Sequence, residues 1–454
     1  MTNVLFINPA SPRQVSQNRA VMRYDPPLGA LYIASNLVEH GHAVRIVDTA
    51  IDELKQEDFD WAKLVCFTVF AGEFQKNTRK ILEKFIPESV VLVGGPLPTV
   101  RPDDCGFHGG YTIIGPGEDA VLAFIEHRLP KKEPFDPNDY PIPKWELLGD
   151  KINREQVPYY FSIITSRGCP HRCSFCYNRD RWIPRSPQHV IDELDHINDL
   201  TGATVFTFMD DNFFVDKGRA ITILNLVRDR RYLIEQINGQ MRDFQHQDTI
   251  DAMKGIVQTA VYSIETTDAY IQDNLLNKRI SLDHCVSVNQ KLFAAGITTI
   301  HNFMVGLPEE QLDTLHHNAA FMAQLKQINP FVRGNAYIFY PLPGTRLGDE
   351  LYNPDSIEAY EEASFRADKP EHPMLDQEGY DFLKAYVTVF NDMFQINNFE
   401  LSTESKKLLA DDPDLARLFP TSVRHPRERW NPYVLDRMLA GERIDLEHDI
   451  HKHV

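Results

Sequence analysis

Through the first 129 residues the apolar positions fall in short unbroken runs, at 4–8, 43–48, 64–70, 90–95 and 111–115. A strand with one wet face alternates apolar and polar residues, so continuous runs predict parallel strands covered on both faces. Between the runs the spacing changes. Leu28, Leu31, Ala34, Leu37 and Val38 recur at helical intervals, and Gly41 follows as a stop signal. Further helices are predicted near 74–86 and after Glu118. Strand and helix in alternation predict a doubly wound, Rossmann-like α/β domain over residues 1–129.

Residues 130–160 lose this periodicity and carry six prolines: Pro130, Pro134, Pro137, Pro141, Pro143 and Pro158. They read as a linker. Alternation resumes over 161–345, with strands expected at 161–166, 204–209, 260–265, 298–305 and 335–340. Ser186 followed by Pro187 reads as an N-cap and first helical residue, and Val190, Leu194 and Ile197 share the face behind it. Ser281 caps a helix that ends at Gly296. Repeated βα units predict a partial (β/α)6 barrel with its chemistry at the carboxyl ends of the strands. Residues 346–454 read as mostly helical. The aromatics in 379–394 are spaced as a packing face that covers the barrel's open side. Three parts suit 454 residues at roughly 150 per domain.

Charge narrows the function. With 47 basic and 65 acidic residues the net charge is -18, which excludes broad binding to a phosphate backbone. The chain opens without a basic segment before an apolar stretch, and no apolar run is long enough to cross a membrane. A cytoplasmic protein acting on a small molecule is expected, with neither nucleic acid nor membrane as partner.

Six cysteines are too few for a disulfide framework, but three of them, Cys169, Cys173 and Cys176, lie within eight residues. The array CxxxCxxC follows a predicted strand directly. Three thiolates on one loop suit three irons of a [4Fe–4S] cluster, leaving the fourth iron open. A structural zinc site would want four ligands, usually as two separated pairs. Cys66, Cys105 and Cys285 read as small buried hydrophobes.

At these residues the chain closely resembles the radical S-adenosylmethionine (SAM) superfamily, whose cluster motif places an aromatic residue before the last cysteine, here Phe175. Further resemblances follow in order: Phe208 to Phe213, Tyr262 to Thr266, Asn277-Lys278, Asn302 to Glu310, and Pro341 to Thr345. The second of these has Tyr262-Ser263 where the family carries small residues. The resemblance implies an open iron that chelates SAM, and reductive cleavage to a 5′-deoxyadenosyl radical that takes hydrogen from the substrate. It implies an external electron donor of flavodoxin or ferredoxin type. Phe175, Asp210, Asp211, Ser263, Glu265 and Gly306 would contact SAM. His301 and Asn302, neighbours on opposite faces of one strand, and Tyr337 and Phe339, which share a face, are candidates for substrate contact.

The first domain resembles the cobalamin-binding domain that precedes the barrel in one radical SAM class. The matching segments are 26–34, 41–44, 94–99 and 115–118. Leu28, Gly29, Thr68, Gly94, Gly95, Pro96, Gly117 and Glu118 would then line the cobalamin site. The DxHxxG motif is absent, and Pro116 stands where a glutamate is usual. The implied reaction is cobalamin-dependent C-methylation of a small biosynthetic intermediate. Two alternatives stay open: a cobalamin-independent dehydration, elimination or rearrangement with a vestigial first domain, and a non-catalytic module with a structural cluster or zinc.

Overall fold

The computed structural model describes residues 1–9, 26–70, 72–85, 88–105, 110–131, 134–152, 161–177, 181–342, 344–352, 374–394 and 401–419. Of the positions named above, Pro158 and Pro343 lie outside them. The chain divides into two compact units. One takes residues 1–165, 183–204 and 342–371, and the other takes 166–182, 205–341 and 372–454.

In the first unit, strands β1 (Asn3–Asn8), β2 (Ala43–Asp48), β3 (Leu64–Thr68), β4 (Val90–Gly94) and β5 (Tyr111–Thr112) form a five-stranded sheet in the order β2-β1-β3-β4-β5. Every neighbouring pair is parallel. The helices between them are α1 (Leu28–Glu39), α2 (Gln56–Trp61), α3 (Gly72–Phe85), α4 (Pro96–Val100) and α5 (Gly117–Ile125). Leu5, Ile7, Val65, Phe67, Val91 and Val93 pack with Phe59 and Leu82 in one buried cluster. Their neighbours Val4, Phe6, Cys66 and Leu92 are buried as well, so the apolar runs are continuous because both sheet faces are covered. Gly41 stops α1 in the left-handed region, at φ 78°.

The proline-rich segment is more than a tether. Its described part carries short 3-10 turns at Pro137–Asp139 and Trp145–Ile152, and Trp145 is fully buried. The Trp145 indole donates to Glu193 Oε1 at 3.0 Å. Glu193 lies on α6 (Pro187–Thr201), which begins as expected: the Ser186 side chain accepts from His189 N, and Pro187 takes the first turn. Arg185 forms a buried ion pair with Glu193, donates to the Tyr32 hydroxyl at 2.9 Å, and donates to the Ile164 carbonyl at 2.8 Å. Ile164 directly follows β6 (Phe161–Ile163), the strand that leads to the cysteine loop.

The second unit contributes five parallel strands, β7 (Val205–Phe208), β8 (Leu233–Asn238), β9 (Val257–Val261), β10 (Thr298–Val305) and β11 (Arg333–Ile338), in the order β11-β10-β9-β8-β7. The connecting helices include α7 (Lys217–Asp229), α8 (Gln247–Met253), α9 (Leu282–Ala294) and α10 (Leu312–Ile328). Strand β8 was not expected. Its sequence LIEQIN breaks the apolar run with Glu235 and Gln236, and the structure has a register irregularity there. Thr207 donates to Glu235 at 3.0 Å across this break.

The helices that follow include α11 (Arg346–Leu351) in the first unit and α12 (Gln377–Phe394) in the second. Helix α12 packs on β11, the edge strand of this order, as its aromatic spacing predicted. Asn391 accepts from Ala336 N at 2.6 Å and donates to Ala336 O at 3.1 Å. One side-chain amide thus satisfies a backbone pair on an edge strand that would otherwise invite pairing. Phe390 meets Phe303 at 5.4 Å, and the Tyr386 hydroxyl donates to Leu315 O. No helix among the described residues is long and apolar enough to cross a membrane.

Candidate active site

The cysteine loop starts at Cys169 and is held from two sides. Just ahead of it, Ser166 donates to Asp210 Oδ2 at 2.6 Å. Beneath it, Ser174 N donates to Leu276 O, Ser174 Oγ to Leu275 O, and Asn277 Nδ2 to Arg172 O at 2.9 Å. The Asn277-Lys278 pair therefore has a mechanical role: the asparagine fastens the loop while Lys278 turns the other way, to Glu265 Oε1 at 2.5 Å. Lys278 also lies 5.9 Å from the Phe175 ring centroid.

Burial pushes the Cys169 and Cys173 thiols above their usual range. Asp211 adds to this at Cys169, and Lys278 opposes it at Cys173. Iron would displace those protons, since a coordinating thiol is deprotonated outright. Among the described residues no three His, Cys, Asp or Glu side chains converge on one ion position. A cluster makes a different demand, because each cysteine binds a separate iron of a body larger than an ion. Cys169, Cys173 and Cys176 on one anchored loop fit that demand in donor type and number.

The two aspartates separate. Asp210 is 1% exposed and committed to Ser166, while its carbonyl accepts from Asn238. Asp211 is exposed and acts electrostatically on Cys169. Glu265 is nearly buried and holds φ 69° without being glycine. Its own N–H donates to Asn302 O, and its carbonyl accepts from Met304 N at 2.7 Å. Such a conformation costs about 1–3 kcal/mol and persists where neighbours over-determine it.

Strand alternation sorts the remaining candidates. His301 is fully buried, its ring 4.5 Å from that of Tyr262 and hydrogen-bonded to Thr299 and the Tyr262 carbonyl. Burial lowers its pKa to about 4, and it is a core histidine rather than a substrate contact. Asn302 points to the opposite face. There it donates to Ser263 Oγ at 3.0 Å and accepts from Asn335 at 3.1 Å. Tyr337 is 55% exposed, whereas Phe339 is 4% exposed. Asn335 was missed, although the alternation that selected Tyr337 also selects it.

Gly306 has a local explanation. At φ 78°, a Cβ there would meet Leu383 of α12 at 2.8 Å. Its N–H donates to Glu310 Oε2 at 2.6 Å. Burial raises the Glu310 carboxyl to about 8, against the lowering effect of the Gly306 and Leu307 N–H groups. The folded chain thus holds a proton that the unfolded chain releases near 4.5, so stability should fall as pH rises from about 5 to 8. Glu310→Gln keeps an acceptor for the loop and removes the ionisation. Its melting temperature should vary less than the parent's across that window, and an equally steep decline would refute the assignment.

In the first unit Thr68, Gly94, Gly95 and Pro96 gather at the carboxyl edge of the sheet, with Thr68 opposite Gly94 in register. Gly95 holds φ 117°, and a Cβ there would lie 2.6 Å from the Val69 carbonyl oxygen. Gly95→Ala should cost about 1–3 kcal/mol, readable as a lowered urea midpoint. Phe70 and Ile114, just beyond β3 and β5, are 53% and 61% exposed. An apolar, glycine-bearing edge at the strand ends is where an open α/β sheet receives a ligand, and it fits the flat edge of a corrin. Gly117 and Glu118 are tied into the packing of α1. A Cβ on Gly117 would strike Ile33 of α1 at 2.5 Å, and Asn36 donates to the Glu118 carbonyl at 2.9 Å. Leu28 is mostly buried and Gly29 is exposed, both in the first turn of α1.

Known proteins carry the same pairing of domains. Residues 163–322 match the family model of the Radical SAM superfamily, and residues 20–125 match the B12 binding domain. The chain is 27% identical over 385 residues to an uncharacterized methyltransferase of Pyrococcus horikoshii, covering 76% of this chain and 82% of that one. It is 28% identical over 224 residues to the hopanoid C-2 methylase of Rhodopseudomonas palustris, covering 45% and 40%. Among solved structures, the radical SAM methyltransferase TsrM of Kitasatospora setae, with tryptophan and a SAM analog bound, superposes with a TM-score of 0.66 at 17% identity, over 93% of this chain and 89% of that one. The cobalamin-dependent SAM radical enzyme OxsB, with aqua-cobalamin bound, gives 0.63 at 15% identity, over 92% and 72%. A [4Fe–4S] cluster, SAM and cobalamin are the cofactors of these two domain families. The chain therefore carries a radical SAM domain preceded by a B12-binding domain.

Proposed function

We propose that this protein is a cobalamin-dependent radical SAM methyltransferase that methylates carbon in a small biosynthetic intermediate. The observation that carries the reading is the union in one chain of a B12-binding domain and the anchored Cys169, Cys173 and Cys176 loop. Relatives named as methyltransferases support it. When bound, the cluster and cobalamin supply the electron for SAM cleavage and the methyl group.

The chain's own residues prepare the site. Cys169, Cys173 and Cys176 hold three irons. Asp211, exposed beside Cys169, accepts from the SAM ammonium, while Asp210 keeps Ser166 and hence the start of the loop in place. The Lys278–Glu265 pair fixes the far wall near Phe175. Ser263, Asn302, Asn335 and Tyr337 offer uncharged hydrogen-bonding groups on one sheet face, suited to a polar substrate without a compensating charge. In the first unit, Thr68, Gly94, Gly95 and Pro96 receive cobalamin against Phe70 and Ile114.

The test is anaerobic reconstitution with iron, sulfide and hydroxocobalamin, followed by SAM labelled in its methyl group. Retained corrin absorbance after gel filtration and label on the corrin support the reading. A protein that assembles its cluster but neither retains corrin nor moves label refutes it.

A further inference from the structure

A cleft of about 280 Å³ opens against one flank of the cysteine loop. It touches Cys173 but neither Cys169 nor Cys176, so it lies beside the loop rather than inside the ring of thiols. Its wall carries His171, Arg172, Arg242, Lys278 and Arg279, and no carboxylate. Lys278 is committed to Glu265. Arg242 donates to the His171 ring at 2.7 Å and forms no ion pair among the described residues. Arg172 and Arg279 are exposed, and neither side chain has a hydrogen-bond or ion-pair partner among the described residues. Among the described residues, three arginines and no carboxylate thus line one opening on a chain of net charge -18.

In an acidic protein this concentration of unneutralised charge is a local exception. Its placement gives it a use. A net negative chain repels an acidic partner at long range, fixed cations reverse that locally, and complementary patches steer encounter. We propose that Arg172, Arg242 and Arg279 form the docking surface for an acidic one-electron carrier protein, which delivers its electron past Cys173. The proposal rests on the reading that the loop holds a cluster. In the step, the carrier gives up one electron and the cluster accepts it. No bond or proton moves.

The experiment measures cluster reduction in the anaerobic holoprotein by stopped flow, with two reductants. One is reduced flavodoxin, a small acidic flavoprotein. The other is photoreduced 5-deazaflavin, which has no protein surface to dock. The Arg172→Glu/Arg279→Glu variant should lose about tenfold or more of its flavodoxin-driven rate and lose the salt dependence of the parent. The 5-deazaflavin rate should be unchanged. The milder Arg172→Gln/Arg279→Gln variant should fall between, and binding of oxidised flavodoxin should weaken in the same order. An unchanged flavodoxin rate overturns the proposal. So does an equal loss with both reductants, which would make the arginines supports of the loop. Saturation of the cleft by millimolar inorganic phosphate with no effect on flavodoxin would assign it to a small anion instead. If the parent assembles no cluster, the reading of the loop fails first and the docking proposal with it.

Discussion

Replacing Cys169, Cys173 and Cys176 together by alanine will leave a folded chain that takes up no cluster and yields no 5′-deoxyadenosine from SAM. The argument is one of ligand count. A cubane bound by three thiolates loses a third of its protein bonds with each cysteine. The loss in activity should be complete within detection, whereas stability should change little. The loop's anchors are the Ser174 and Asn277 hydrogen bonds, which the substitutions leave intact. Cys66 and Cys285 provide the control. Both are buried, and burial pushes the Cys285 thiol up to about 12 and the Cys66 thiol higher still. Cys285→Ala should retain full iron content. A triple variant that still assembled a cluster, or a Cys285 variant that did not, would move the ligand set elsewhere.

The largest stability effect is expected at Glu193→Ala. Its carboxylate neutralises the buried Arg185 and accepts from Trp145 and from the Tyr32 hydroxyl. Removing it strands a guanidinium that is 2% exposed, together with the indole N–H. Breaking one side of a buried pair costs about 3–5 kcal/mol. The same guanidinium donates to the Ile164 carbonyl, and Arg185 N donates to Thr165 O, at the end of the strand that precedes the cysteine loop. Equilibrium urea denaturation should show the full loss, with Glu193→Gln intermediate because it keeps an acceptor but not the charge. A loss below about 1 kcal/mol, the range of a surface pair, would mean that the network relaxes without cost.

These two predictions differ in how far the sequence alone reached them. The cysteine loop is local, so three residues and their spacing were enough. The parallel sheets were legible too, since burial on both faces leaves an unbroken apolar run. Strand β8 was not, because a polar pair at its irregularity hides the run. The Arg185 network joins Tyr32, Trp145 and Glu193 across distances of up to 161 residues, and nothing local marks them as partners. Asp210 and Asp211 read as equivalent, yet backbone direction buries one and exposes the other. Two of the glycines read as ligand contacts also have a packing reason. Gly306 and Gly117 make room for Leu383 and Ile33, which only tertiary packing reveals.

The most direct test of the account is the yield of 5′-deoxyadenosine from SAM when the anaerobically reconstituted, corrin-loaded protein is reduced. The account predicts that a chain loaded with about four irons and four sulfides forms it, and that the triple cysteine variant forms none. A fully loaded protein that binds SAM but releases no 5′-deoxyadenosine on reduction would contradict it.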